Sequence, residues 1–281
     1  MKTHFSIVTA VLLAVFSAGQ NRVSAAVSRA PGGGESLAAG AFSGRIEVTI
    51  IGTGKSIGHV ADLRIHNLTG ERIAGQVPAM VLESGSRQYQ HYACPHAQTV
   101  IIGPHGTKTV PIDGICLVRD KPPVGKGVTG ELIICDGNPS SPRAPDSHFT
   151  AKEAGKLTRV AKSYCDAAEK LDQEGAFQDM PFREPKKRKE IATQWGVWSD
   201  PKIAKITHSR RATKQDFKKT ITRQAEREKP LAPEAKAKLD QEIDKVFKDI
   251  QLTTKEAKGL EEPDPYKNVE LTGPKAKASS D

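Results

Sequence analysis

The sequence predicts an α+β protein: an antiparallel β-sandwich followed by a helical region. Three observations carry that prediction. Residues 44–135 hold seven short β-type runs separated by turn residues. Residues 136–148 form a Pro-, Ser- and Asn-containing break. Residues 149–253 then show apolar positions at helical spacing.

The first 26 residues stand apart. Lys2 precedes an apolar run from Phe5 to Phe16, and small residues follow at Ser24, Ala25 and Ala26. A basic start, a short apolar centre and small residues before a cleavage point predict a signal peptide over residues 1–26. The run is too short for a membrane span, which needs about 20 residues. The expected location is outside the cytoplasm: periplasm, cell surface or secreted. Of 281 residues, removing 26 leaves 255, enough for one large or two small domains. Nothing later in the sequence is long and apolar enough to span a bilayer, so the mature chain is expected to have no transmembrane segment. Residues 27–43 are rich in Gly, Ala and Ser and read as a flexible leader.

The expected strands are 45–51, 59–66, 72–82, 89–93, 98–102, 108–118 and 129–135, with turns at Asn67–Gly70 and Gly103–Gly106. Seven short antiparallel strands at this spacing imply a sandwich. In the helical region Thr150 and Glu153 form a capping pair, and Leu157, Val160, Ala161, Tyr164, Ala168 and Leu171 share one face. Further helices are expected over about 185–198, from Thr213 with Asp216 as its capping partner, and from about Pro233. The last carries Leu239, Ile243, Val246, Phe247 and Ile250 as its apolar stripe. Residues 254–281, rich in Lys, Glu, Pro and Ser, read as a disordered tail.

The net charge is +9. It favours an anionic partner at the envelope or surface. The lysines are interleaved with Glu and Asp, which is the pattern of a solvated helix face and not of a specific nucleic-acid surface. No catalytic Ser-His-Asp order, carboxylate pair or nucleotide loop stands out, so no catalytic residues and no cofactor are expected. Gly52-Thr53-Gly54-Lys55-Ser56 has part of a phosphate-loop pattern. Thr49 stands where the first Gly belongs, and a strand follows in place of a helix, so it reads as a hairpin turn.

His91, Cys94 and His96 are ligand types for zinc or copper within six residues. Pro95 interrupts their alternation. The four cysteines are Cys94, Cys116, Cys135 and Cys165. In an oxidising setting an even number predicts two disulfides. If Ile102 faces Thr107 across a four-residue loop, Cys94 faces Ile115 beside Cys116. That register favours Cys94–Cys116, leaving Cys135 to join Cys165.

Two segments resemble known exported bacterial proteins. "NLTGERIAGQVPAMVL", "IIGPHGTKTVPIDG" and "ICLVRDKPP" resemble immunoglobulin-like modules in which a strand ends in Cys before a Lys-Pro stretch. "IATQWGVWSD" (Ile191–Asp200) is similar to the Thr-Gln-x-x-x-Trp helix of bacterial thioester domains. The resemblance implies an immunoglobulin-like sandwich. It also implies an internal thioester between Cys116 and Gln194, flanked by Trp195 and Trp198, that captures amines. Ile115 departs from the aromatic residue more usual before the Cys. Three functional readings follow: a non-catalytic binding or structural role in the envelope, covalent adhesion through Cys116 and Gln194, and metal binding at His91, Cys94 and His96.

Overall fold

The computed structural model describes residues 35–36, 43–141, 147–178, 180, 184–226 and 230–265. The signal peptide, nearly all of the leader and residues 266–281 lie outside these. The strands are β1 (Glu35–Ser36), β2 (Ile46–Gly52), β3 (Ile57–Asn67), β4 (Ile73–Val77), β5 (Met80–Ser84), β6 (Tyr92–Cys94), β7 (Gln98–Ile102), β8 (Thr107–Cys116) and β9 (Leu132–Asp136). The helices are α1 (Ala151–Gln173), α2 (Pro185–Ser199), α3 (Pro201–Thr207), α4 (Lys214–Ala225) and α5 (Pro233–Leu260). The fold is α+β, with antiparallel pairing throughout except for the two-residue β1 beside β4.

β2-β3-β8-β6-β5-β9 form one sheet and β1-β4-β7 another. Strands with one face to water alternate buried and exposed positions, whereas β5 and β6, covered on both faces, are buried throughout. In β4 the sequence Ile73-Ala74-Gly75-Gln76-Val77 buries its odd positions. Ile73, Val77, Val100 and Ile102 from the small sheet meet Ile46, Leu63, Ile65 and Val110 from the large one in a single core.

The expected strand 72–82 is two strands. Pro78 has no N–H to offer a ladder, and the chain breaks there. It leaves β4 in one sheet and enters β5 in the other. The segment Gly52–Ser56 is the β2–β3 hairpin turn, as its sequence predicts. Gly52 is required there, since a Cβ would meet Val124 Cγ1 at 2.6 Å and the Gly125 carbonyl at 2.7 Å.

The register assumed for the cysteines does not form. β7 pairs with β4, not with β8. β8 lies between β3 and β6, with Tyr92 opposite Cys116 and Ala93 opposite Ile115. Cys94 therefore falls one position along, where its Sγ packs against Gly114.

α1 lies across the other face of the large sheet. Its Leu157, Val160, Ala161 and Tyr164 bury Val81, Ala93, Ile115, Leu117 and Val118. Its start is the predicted capping box, with Thr150 and Glu153 each bonding the other's backbone. α4 begins at the predicted Thr213–Asp216 pair. A third core, built from α1, α2, α4 and α5, holds Phe177, Trp195, Phe217, Ile243, Val246 and Ile250.

Three features were not expected. Glu35–Ser36, inside the expected flexible leader, pairs in parallel with Gly75 and Gln76 of β4. α5 runs to Leu260, past the start of the supposed tail, because Thr253 and Ala257 are buried. Lys170 pairs with Glu256, and Lys162 with Glu262. α3 is a separate short helix whose N-cap is Asp200, with its Oδ1 accepting from the Lys202 amide at 2.7 Å.

Candidate functional site: Cys116 and Gln194

Cys116 is the last residue of β8 and has no exposed surface. Gln194 lies in the middle of α2 and is 5% exposed. The fold brings these residues, 78 positions apart, into direct contact. The Cys116 amide donates to Gln194 Oε1 at 3.1 Å, and Gln194 Nε2 donates to the Cys116 carbonyl at 2.7 Å. The two bonds also fix which way the carboxamide points, because an N–H needs the oxygen and a carbonyl needs the nitrogen. The Cys116 amide is shared with the Ser56 carbonyl at 3.0 Å.

Helix α2 reaches this position through Gly196. A Cβ there would meet Tyr164 Cδ1 and Cε1 at 2.6 Å. The Tyr164 ring is itself held, its hydroxyl donating to Asp200 Oδ2 at 3.0 Å. The sequence Thr193-Gln194-Trp195-Gly196 thus places a carboxamide against the sheet and a bare backbone against α1, with Trp195 turned to the helical core. Trp195 stacks edge-on to Trp198 at 5.2 Å and to Phe217 at 4.7 Å. Trp198 bridges the helical core and the inter-sheet core that contains Cys116.

Burial pushes the Cys116 thiol up to about 12, against smaller opposing pulls from the Val118 backbone and the Trp198 indole. Cys116 Sγ donates to Val118 O at 3.2 Å. Trp198 Nε1 is buried with no acceptor in hydrogen-bond geometry among the described residues, yet lies close enough to pull the thiol pKa down. It is a spare donor beside the sulfur. Tyr92, opposite Cys116, is likewise raised to about 12 by burial, and its hydroxyl accepts from the Val124 amide.

A cleft of about 200 Å³ runs along the site's flank, between β3, β8, α1 and α2. Ile115 and Thr193, the immediate neighbours of Cys116 and Gln194, line it together with Ile57, Cys165 and Glu190.

The other expected site residues are not brought together. All four cysteines are thiols, none joined to another. Cys94 is buried in the inter-sheet core. Cys135 Sγ donates to the Phe149 carbonyl at 3.5 Å, and Cys165 faces the cleft beside Glu169. The Cys94–Cys116 bridge fails because its register was counted on a β7–β8 hairpin that is absent. The metal set is also dispersed. His91 Nδ1 accepts from the Ser84 amide at 3.0 Å, and its ring lies edge-on to Phe149. Cys94 faces the core, whereas His96 lines the cleft. No three metal-ligating side chains converge among the described residues. None of the helices described is long and apolar enough to cross a membrane.

The contribution of Gly196 and Tyr164 was missed from sequence, although a Gly directly after the Gln-Trp pair was a signal for close helix packing. Compared with known protein families, curated proteins and solved structures, the chain matches none.

Proposed function

We propose that this chain is an exported surface protein that attaches covalently to amines through an internal thioester between Cys116 and Gln194. The reading rests on one observation: the Gln194 carboxamide is docked on Cys116 by two hydrogen bonds in a dry interface. In forming the thioester, Cys116 Sγ bonds to Gln194 Cδ and the Cδ–Nε2 bond breaks. The thiol proton leaves with the nitrogen as ammonia. The Cys116 amide, already on Oε1, is aimed at the oxygen where negative charge develops, which is the arrangement that lowers such barriers. Burial keeps water from hydrolysing the product.

An incoming primary amine then bonds to Cδ, and the Cδ–S bond breaks. The sulfur departs as thiolate and takes up the proton released by the amine. The spare Trp198 N–H stabilises that thiolate, since donors to charged sulfur or oxygen are worth more than donors to neutral groups. The cleft past Ile115 and Thr193 is the access route. In this reading the two sheets form an immunoglobulin-like sandwich that presents Cys116 at a strand end, and the helical region supplies Gln194. The protein turns over once, so it is an adhesive and not an enzyme. The basic surface favours an anionic envelope or surface component as its setting.

The test is labelling of the full chain by methylamine. The parent should gain one methylamine on Gln194 and expose one new thiol. Cys116→Ala and Gln194→Ala should both abolish labelling while keeping a cooperative melt. An unlabelled parent would leave Gln194 as a clamp between α2 and β8, and nothing more.

A further inference from the structure

We infer that the cavity between the β5–β6 turn, the loop after β8 and the end of α3 is a binding site for a phosphate monoester. It lies apart from the Cys116–Gln194 contact and does not depend on it. The cavity is about 630 Å³ and is lined by Arg87, His91, Lys121, His148, His208 and Arg210, over an apolar floor of Val118, Phe149 and Ile206. Four chain segments distant in sequence, at Arg87–His91, Lys121, His148 and His208–Arg210, thus bring basic side chains to one concave space.

Two of those charges, on Arg87 and Lys121, are uncompensated. Lys121 Nζ donates to the Arg87 carbonyl at 2.5 Å, a neutral partner. The Arg87 guanidinium lies against the His148 ring, donating through Nε at 2.9 Å to Nδ1. Arg87 and Lys121 meet no carboxylate in an ion pair among the described residues, whereas His148 Nε2 lies 3.7 Å from the buried Glu83 Oε1. The acids facing the cavity are engaged elsewhere. Asp120 pairs with Arg119 at 3.2 Å, and Glu153 closes the Thr150 cap. Arg210 is taken by Asp216. The local potential leaves its mark on His91 at the cavity wall: after burial itself, Lys121, His148 and Arg87 are the groups that hold its pKa down. Arg87 also adopts a left-handed backbone, φ +60°. That conformation is rare for a residue with a side chain.

A phosphate monoester fits this chemistry better than a lone carboxylate. Two unpaired cations of different geometry, an Arg fork and a Lys point charge, suit a doubly charged group with three acceptor oxygens. The apolar floor suits the carbon body attached to it.

The experiment is titration calorimetry of the full chain at low ionic strength with inorganic phosphate, then with glucose 6-phosphate. A flotation assay with vesicles carrying phosphatidic acid separates a lipid headgroup from a soluble source. Saturable binding of phosphate is expected, with tighter binding of whichever ester carries the right body. Arg87→Gln and Lys121→Gln, checked by thermal melt, should each weaken it by about tenfold or more. Lys219→Gln with Arg223→Gln, which thins a separate basic surface on α4, should leave it unchanged, as should Cys116→Ala. Equal losses in the α4 variant, or vesicle binding without any binding of free phosphate, would reduce the effect to general surface charge and overturn the site. No binding by the parent would overturn it outright.

Discussion

At His91, burial and neighbouring cations act in the same direction. The imidazole is 6% exposed, accepts from the Ser84 amide, and has its pKa lowered from 6.5 to about 4. A lowered histidine pKa means that the folded chain holds fewer protons than the unfolded chain between those values. Its contribution to stability is therefore full above about pH 6.5 and is lost as the pH falls toward 4. The whole span is worth about 3 kcal/mol. Urea melts across this window should show stability falling with pH, and His91→Gln, which keeps an acceptor but cannot titrate, should flatten that fall. An unchanged slope would mean that other groups set it. Asp216 acts in a lower window. Arg210, Thr213 and Arg119 hold its carboxyl well below the ordinary range, so its stabilisation is lost only in stronger acid.

Among the elements, α2 carries the site, and its placement turns on Gly196. A methyl group there would overlap the Tyr164 ring, which Asp200 fixes. Gly196→Ala gains about 1 kcal/mol of helix propensity and loses about 1–3 kcal/mol to overpacking. Gln194 must shift with the helix. The expected result is a small or negative change in melting temperature with a clear fall in methylamine labelling. Full labelling would show that α2 reaches Cys116 without that contact. Elements whose signals are local were legible in the sequence. The Thr150–Glu153 and Thr213–Asp216 caps, the strand 98–102 and the Pro233 helix start all depend on residues within one turn of each other. Asp200-Pro201 is such a local signal for α3, an N-cap followed by Pro at the first helical position. Strand partners were not legible, because alternation says which face is buried and not which strand lies beside it. Turn spacing alone therefore predicts β7 against β8 and Cys94 beside Cys116. Cys116 and Gln194 themselves were legible only as a motif, since 78 residues separate them and no local pattern can bring them together.

For the whole molecule, the helices serve as the large sheet's second cover. α1 buries Val81, Ala93, Ile115, Leu117 and Val118. A chain ended near residue 145 would leave that apolar face to water, and such faces drive association. It should bind a hydrophobic dye and lack a sharp melt, and a cooperative β-type transition would show that the sheets are stable alone. The same layered arrangement makes the proposed chemistry possible, because one partner comes from the sheet and the other from the helices. The most direct test of that claim is the intact mass of the chain purified without added amines. It is to be compared with the mass its own sequence requires after whatever processing its N-terminus shows. A thioester predicts a parent lighter by one ammonia, a Gln194→Ala variant at its full sequence mass, and three titratable thiols in the denatured parent where the sequence has four cysteines. A parent at full sequence mass with all four thiols titratable would contradict the account.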